Sequence, residues 1–209
     1  MKAELKRPDA AFLRWAEAYR RKAIREGKQP PAKGIQLAAM DLSDHDLSGL
    51  ALEDSTLDGA CLERAQFGDV YLVSCMVRQA DFTDAWLSKG EVHDSDLSGA
   101  IFRRAKLIKW DAYDSVLRGA DFTEADVSRA FLCGCDLRDV RLRHLELDMG
   151  MNGCILTGAD LTGSWGTLTY PINVGTPEVP RWIEGDDALE WCRAAGAHDI
   201  RWQPLRQRP

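Results

Sequence analysis

The sequence holds no apolar run approaching the roughly 18 residues that span a bilayer, and its opening stretch, MKAELKRPDAAFLRW, has no signal-peptide core. The expectation is a cytoplasmic chain that does not enter membranes. Cysteine is scarce for a disulfide framework: six in 209 residues without a secretory signal read as reduced thiols. Histidine is scarcer. His45, His93, His144 and His198 are scattered, and no Ser, Cys or carboxylate near them forms a nucleophile arrangement. No glycine-rich phosphate loop follows a strand and opens a helix. These absences point away from catalysis, nucleotide binding and cofactors, and leave binding or structural work.

What is abundant is a period. Stepping by five from Leu37 to Leu147 meets 23 positions, and all 23 are apolar. Neither a helix of period 3.6 nor a strand of period 2 keeps every fifth residue on one side for so long, so the chain must turn a corner at each repeat. Two residues before each centre lies a mostly small one, among them Ala60, Ala65, Ala80, Ala85, Ala100, Ala105, Ala120, Ala125 and Ala130. The remaining positions are mainly Asp, Ser, Thr, Arg and Gly, which suit solvent and turns. A longer period sits above this one: Ser55, Cys75, Ser95, Ser115 and Cys135 recur every twenty residues at the small position. After Leu147 the register slips by one, at 148–150, and Met151, Leu156 and Leu161 continue the centres while Cys154 extends the polar stack.

The units A-D-F-T-D (80–84), A-D-F-T-E (120–124) and A-D-L-T-G (159–163) resemble the consensus of the pentapeptide-repeat family. The resemblance implies an all-β solenoid, a right-handed quadrilateral β-helix in which each pentapeptide makes one side and four make a coil. The centre and the residue two before it then point inward. Residues 35–164 supply about 6.5 coils, a rod roughly 30 Å long at a strand spacing of about 4.8 Å. That register puts Cys133 outward and Cys135 inward, so their C-x-C spacing is not read as a metal site.

The flanks suit capping, because an open coil leaves unpaired backbone groups and bare core. Residues 1–34 are read as a basic helix and linker. Phe12, Trp15, Ala16, Tyr19 and Ala23 share one helical face over 9–26, Gly27 and Pro30-Pro31 stop it, and Arg14, Arg20, Arg21, Lys22, Arg25 and Lys28 make it basic. Residues 165–209 lose the repeat, hold Trp182, Trp191 and Trp202, and predict a helix over 187–195 begun by Asp186. This tail is read as a cap or a dimerisation element.

Charge separates these parts. Residues 1–34 carry ten Lys/Arg against four Asp/Glu, whereas 35–164 carry 12 against 23, a net of −11. Sorted by side, the repeats divide again. The side centred on Leu42, Leu62, Phe82, Phe102, Phe122 and Leu142 presents Asp81/Asp84, Arg103/Arg104, Asp121/Glu124 and Arg141/Arg143, alternating in sign and suited to cross-strand pairs. The side centred on Leu52, Leu72, Val92, Ala112 and Leu132 presents Glu53, Asp54, Glu91, Asp94, Asp111 and Asp114 with Tyr71, Tyr113 and Phe131, and no Lys or Arg. Glu53, Asp54, Glu91, Asp94, Asp111, Tyr113 and Asp114 are therefore the candidate partner-binding residues. Solvation of the rod is the competing account of the same acids.

Beneath that side the repeat inverts at WDAYD (110–114): Trp110 takes a small position and Ala112 a centre. In register Trp110 lies between Gly90 and Ala130, so large-for-small and small-for-large conserve core volume. The family's best-understood members act on DNA gyrase and topoisomerase IV as duplex mimics. The resemblance and the acidic rod together imply a protein partner with a basic groove, DNA gyrase or topoisomerase IV foremost, without direct nucleic-acid binding, and a homodimer through 165–209. A structural or adaptor scaffold, for a secretion or regulatory component, is the alternative, and contact of the basic helix with an anionic membrane or nucleic acid is a third reading.

Overall fold

The computed structural model describes residues 5–27 and 30–203. All 23 centres from Leu37 to Leu147 are at most 2% exposed, so the fivefold apolar period is the core of a four-sided solenoid. One side forms regular strands: β1 (Ala32–Lys33), β2 (Ala51–Glu53), β3 (Tyr71–Val73), β4 (Glu91–His93), β5 (Asp111–Tyr113), β6 (Ala130–Cys133) and β8 (Met149–Asn152) make a seven-stranded parallel sheet, one strand per coil. Their register advances by twenty residues until β6 meets β8, where it advances by 19. The missing residue is taken from one corner, where Asp148 donates its N–H to Glu146 O at 2.9 Å between β7 (Glu146–Leu147) and β8.

The corners have a common conformation. Every fifth residue from Ala39 to His144, 22 positions, has positive φ, and only five of them are glycine. Left-handed backbone costs a non-glycine residue about 1 kcal/mol or more, so the ladder between coils must offset strain spread along the whole rod. Aspartate, which tolerates this region, fills seven of the corners.

Next to the strand side the Ser/Cys stack has a backbone task. Ser55 Oγ accepts from Ile35 N–H at 3.0 Å, Ser95 Oγ from Cys75 N–H at 3.0 Å and Ser115 Oγ from Ser95 N–H at 3.1 Å. Their hydroxyls donate to Glu53 O, His93 O and Tyr113 O, while the thiols of Cys75, Cys135 and Cys154 reach Leu52 O, Ala112 O and Leu132 O. The twenty-residue polar period thus supplies hydrogen bonds that buried amides would otherwise lack.

Both ends are closed. Helix α1 (Ala10–Glu26) is capped by Asp9, whose Oδ1 accepts from Phe12 N–H at 2.7 Å, and stops at Gly27, φ 88°. It buries Ala16 and packs Phe12, Trp15 and Tyr19 on the core, while Lys6 pairs with Met40 to add a rung before the first coil. Its basic residues are largely spoken for: Arg20 pairs with Asp46 at 2.5 Å, Arg21 with Glu17 and Arg25 with Glu26; Lys28 lies outside the described residues.

At the far end β9 (Trp165–Leu168) pairs with β12 (Ile200–Trp202), and β10 (Ile172–Asn173) pairs with β11 (Trp182–Ile183). Leu156 N–H, Leu161 N–H and Gly163 N–H donate to Asn173 O, Ala195 O and Gly196 O, so the tail supplies the acceptors of a missing coil. Helix α2 spans Gly185–Ala194 behind Glu184. It starts two residues before the sequence expectation, and Asp186 lies in its first turn rather than capping it.

Candidate protein-binding face

The acidic side of the sequence is the strand side. Extended backbone sends alternate residues outward, which leaves columns Tyr71-Glu91-Asp111-Phe131 and Glu53-Val73-His93-Tyr113-Cys133 facing solvent above the buried centres, while Ala51, at the head of the first column, is itself buried. A third column, Asp54-Ser74-Asp94-Asp114-Gly134, occupies the left-handed corners.

These columns do not bring all seven candidates together. Glu53 accepts from Lys33 Nζ at 2.6 Å, because β1 adds a rung with a cation to this side. The side therefore does contain a lysine, and it neutralises the first acid. A coil carrying Tyr71, Val73 and Ser74 then separates Glu53 and Asp54 from the rest. The remaining five form a patch two coils deep. Glu91 and Asp111 are register partners, Asp94 and Asp114 stand at the exposed corners beside them, and Tyr113 lies between. Adjacent strands lie about 4.8 Å apart and three strand residues span about 10 Å, so four carboxylates outline a rectangle of roughly those dimensions.

The centre of that rectangle is aromatic. His93 and Tyr113 stack at 4.8 Å and 13°, Tyr71 tilts against His93 at 5.3 Å, and Phe131 tilts against Tyr113 at 6.2 Å. Phe131 continues to Tyr170 at 6.0 Å. Gly150 permits this edge contact: a Cβ there would stand 2.6 Å from Phe131 and 3.2 Å from Tyr170. His93 and Tyr170 were not among the sequence candidates. His93 is detectable as the residue twenty before Tyr113, whereas Tyr170 follows the end of the repeat and gives no such signal.

Electrostatics sets the patch apart. Burial and then the Glu91 charge push the Asp111 carboxyl above its usual range, and burial and then Asp111 and Glu91 push the Tyr113 phenol up. Among the described residues no Lys or Arg forms an ion pair with Asp94, Asp111 or Asp114. Like charges at this spacing repel, and nothing in the fold requires them. Cys133 is half-buried on this face and Cys135 faces the core, so the two do not share a ligand site. No group of three or more His, Cys, Asp or Glu among the described residues is placed to hold a metal ion. No helix of the described residues is long and apolar enough to cross a membrane.

Beneath the patch, Trp110 is 2% exposed and Ala112 is fully buried between Val92 and Leu132. A Cβ added to Gly90 would meet Trp110 Cδ1 at 3.0 Å and Val70 Cγ2 at 3.1 Å. Gly90 is therefore glycine for space, and the inversion at WDAYD is a packing solution under the candidate face.

The model of the pentapeptide repeats matches residues 65–104, 101–139 and 115–148, with eight copies. Two trypsin-treated variant structures of QnrB1, a plasmid-mediated fluoroquinolone resistance protein, match with TM-scores of 0.52 and 0.53 at 17% identity, covering 83% of this chain and 91% of that one. No curated protein matches the chain in sequence. At this identity the structural likeness speaks to the fold.

Proposed function

For this pentapeptide-repeat protein, we propose a non-enzymatic role as a rod that offers its acidic strand side to a basic groove, with a type II topoisomerase, DNA gyrase foremost, as the partner that accepts it in place of duplex DNA. The observation that carries the reading is the patch of Glu91, Asp94, Asp111, Tyr113 and Asp114: carboxylates set in repulsive register, with Asp94, Asp111 and Asp114 outside any ion pair among the described residues, on a rod whose Leu42 side neutralises itself. A basic partner converts that repulsion into complementarity, and the rod's net −11 over 35–164 steers the encounter. Six strand spacings of about 4.8 Å give a rod body about 29 Å long, a rigid object on the scale of a groove built for a duplex. Dimerisation through the tail belongs to the proposal, supported by Val179 and Trp182, which stay 73% and 52% exposed beside the closed end.

The test is gyrase supercoiling with and without a topoisomerase poison. Micromolar rod is expected to inhibit supercoiling or protect the enzyme, and the combination Glu91→Gln, Asp94→Asn, Asp111→Asn, Asp114→Asn is expected to abolish the effect with thermal stability unchanged or raised. Full activity in the fourfold variant, or no effect of the parent on gyrase, sinks the topoisomerase reading. In the second case the scaffold reading remains, favoured by the surface groove between α1 and the strand side.

A further inference from the structure

Two large apolar side chains remain about half or more exposed, Ile24 at 76% and Trp86, with Lys106 Nζ 5.8 Å from its ring centre, at 49%. They flank one trough. Between the second half of α1 and the corner leading into the strand side runs a surface groove of about 840 Å³, with Gly49, Ala51 and Val70 along its floor and Ala23 and Ile24 on its helical wall. A hollow of about 190 Å³ beside Trp86 shares Ser48, Asp69 and Lys89 with it, so the trough crosses three coils. Its far rim is Tyr71 and Glu91, the edge of the acidic patch.

Its charges are arranged unlike those of the Leu42 side. At equivalent corners on neighbouring coils, Asp44 with Arg64 and Asp84 with Arg104 close into two-pronged ion pairs. Asp69 and Lys89 occupy the same relation on the trough floor and, among the described residues, form no ion pair. The helix end of the trough is neutral in sum, since Arg20 is tied to Asp46, while beyond Glu91, which His93 Nε2 meets at 3.8 Å, the other end leads to Asp111 and Asp114.

We propose that this trough docks an amphipathic segment of a protein partner, with apolar residues seated between Ile24 and Trp86 and a basic flank lying on Asp111 and Asp114. The inference rests on the reading of the strand side as a surface for a basic partner and adds an anchor to it. Exposed carboxylates lose much of their attraction at physiological salt, whereas apolar burial does not, so the trough supplies contact that the patch alone lacks. Charge complementarity fixes the direction of the segment, because only one end of the trough is acidic.

Fluorescence anisotropy with the intact protein and two labelled peptides tests this. One carries two leucines four residues apart followed by Arg-Arg; its match has serines in place of the leucines and the same charge. The leucine peptide is expected to bind at least about tenfold more tightly. Ser48→Trp, which fills the trough, and Ile24→Asp, at a site the fold does not bury, are each expected to remove most of that advantage with an unchanged melting temperature. Asp111→Asn with Asp114→Asn is expected to weaken both peptides alike. Equal binding of the two peptides overturns the trough while leaving the acidic patch standing. Failure of either to bind at about 1 mM, or indifference of the leucine peptide to both trough variants, also overturns it. Trough-dependent binding in a protein that ignores gyrase would keep the anchor and discard the topoisomerase.

Discussion

On the Leu42 side, acids and arginines of successive coils are joined: Arg64 to Asp44, Arg104 to Asp84, Arg103 and Arg141 to Asp121, and Arg143 to Asp160. Beneath them Phe82, Phe102 and Phe122 stack at 5.1 and 4.7 Å. On the Leu52 side, past the Lys33–Glu53 pair, carboxylates of successive coils face each other, and the core below alternates Gly90 with Trp110. Both sides rest on the same repeat and the same left-handed corners. The difference shows that interior regularity and exterior charge are set independently, so the exterior of one side is available for a purpose the fold does not dictate.

The comparison breaks most severely in the core. Trp110→Ala is expected to cost about 3 kcal/mol or more, since Gly90 next to it cannot fill the void. Phe102→Ala, in the regular stack, is expected to cost a similar amount. Urea unfolding of both variants checks this, and a loss below about 1 kcal/mol for Trp110→Ala would contradict the burial on which the packing account rests. Gly90→Ala is expected to cost about 1–3 kcal/mol by overpacking, and to cost less in the Trp110→Ala background, where the indole contact is gone and those with Val70 and the Leu87 carbonyl remain. Additive losses in that cycle would mean that the two sites do not share volume.

A smaller effect separates the two exteriors. The Asp121 side chain is 3% exposed, takes Thr123 Oγ1–H at 2.6 Å and pairs with Arg103 at 2.7 Å. Burial pulls its carboxyl up, but the Thr123 hydrogen bonds and the Arg103 charge outweigh that and leave it below its usual range. Asp121→Ala is expected to cost about 2 kcal/mol at neutral pH, less than a fully buried pair because both arginines are half in water. Asp94→Asn on the other side, which keeps a side chain that tolerates the left-handed corner, is expected to change stability by under about 0.5 kcal/mol. Comparable losses at the two positions would erase the distinction between wall and patch.

Much of this was legible from residue spacing. The 23 apolar centres define the solenoid, and the twenty-residue recurrence of Ser55, Cys75, Ser95, Ser115 and Cys135 identifies the corner whose amides need a hydroxyl or thiol. The alternating wall was readable because its partners lie close to twenty residues apart. Lys33 escaped because it precedes the first repeat centre, so a sorting that begins at Leu52 never meets it. The tail's role as a final coil escaped for a different reason: the acceptors at Asn173, Ala195 and Gly196 are backbone carbonyls, which any sequence supplies. The trough is tertiary in origin, made by where α1 crosses the rod, and no period encodes it.

The gentlest test uses acid. Arg143 holds the Asp160 carboxyl down to about 2, and Asp44 and Asp84 are likewise lowered by Arg64 and Arg104. A depressed folded pKa contributes stability that is present above the unfolded value near 3.9 and fades as pH falls toward 2. Asp111 has the opposite sign: its raised folded pKa penalises the native state above that pKa, and the penalty vanishes below about pH 4. Asp160→Asn is therefore expected to destabilise at pH 7 and to converge on the parent near pH 2. Asp111→Asn is expected to stabilise at pH 7 by a few tenths of a kcal/mol, the scale of like-charge pairs across strands, and to match the parent by about pH 3.5. Melting curves across that range decide it. Destabilisation by Asp111→Asn at pH 7 would mean that the Phe131 N–H and His93, which pull the carboxyl down, outweigh burial and Glu91, and the strand side would then be a second neutralised wall rather than a surface kept for another protein.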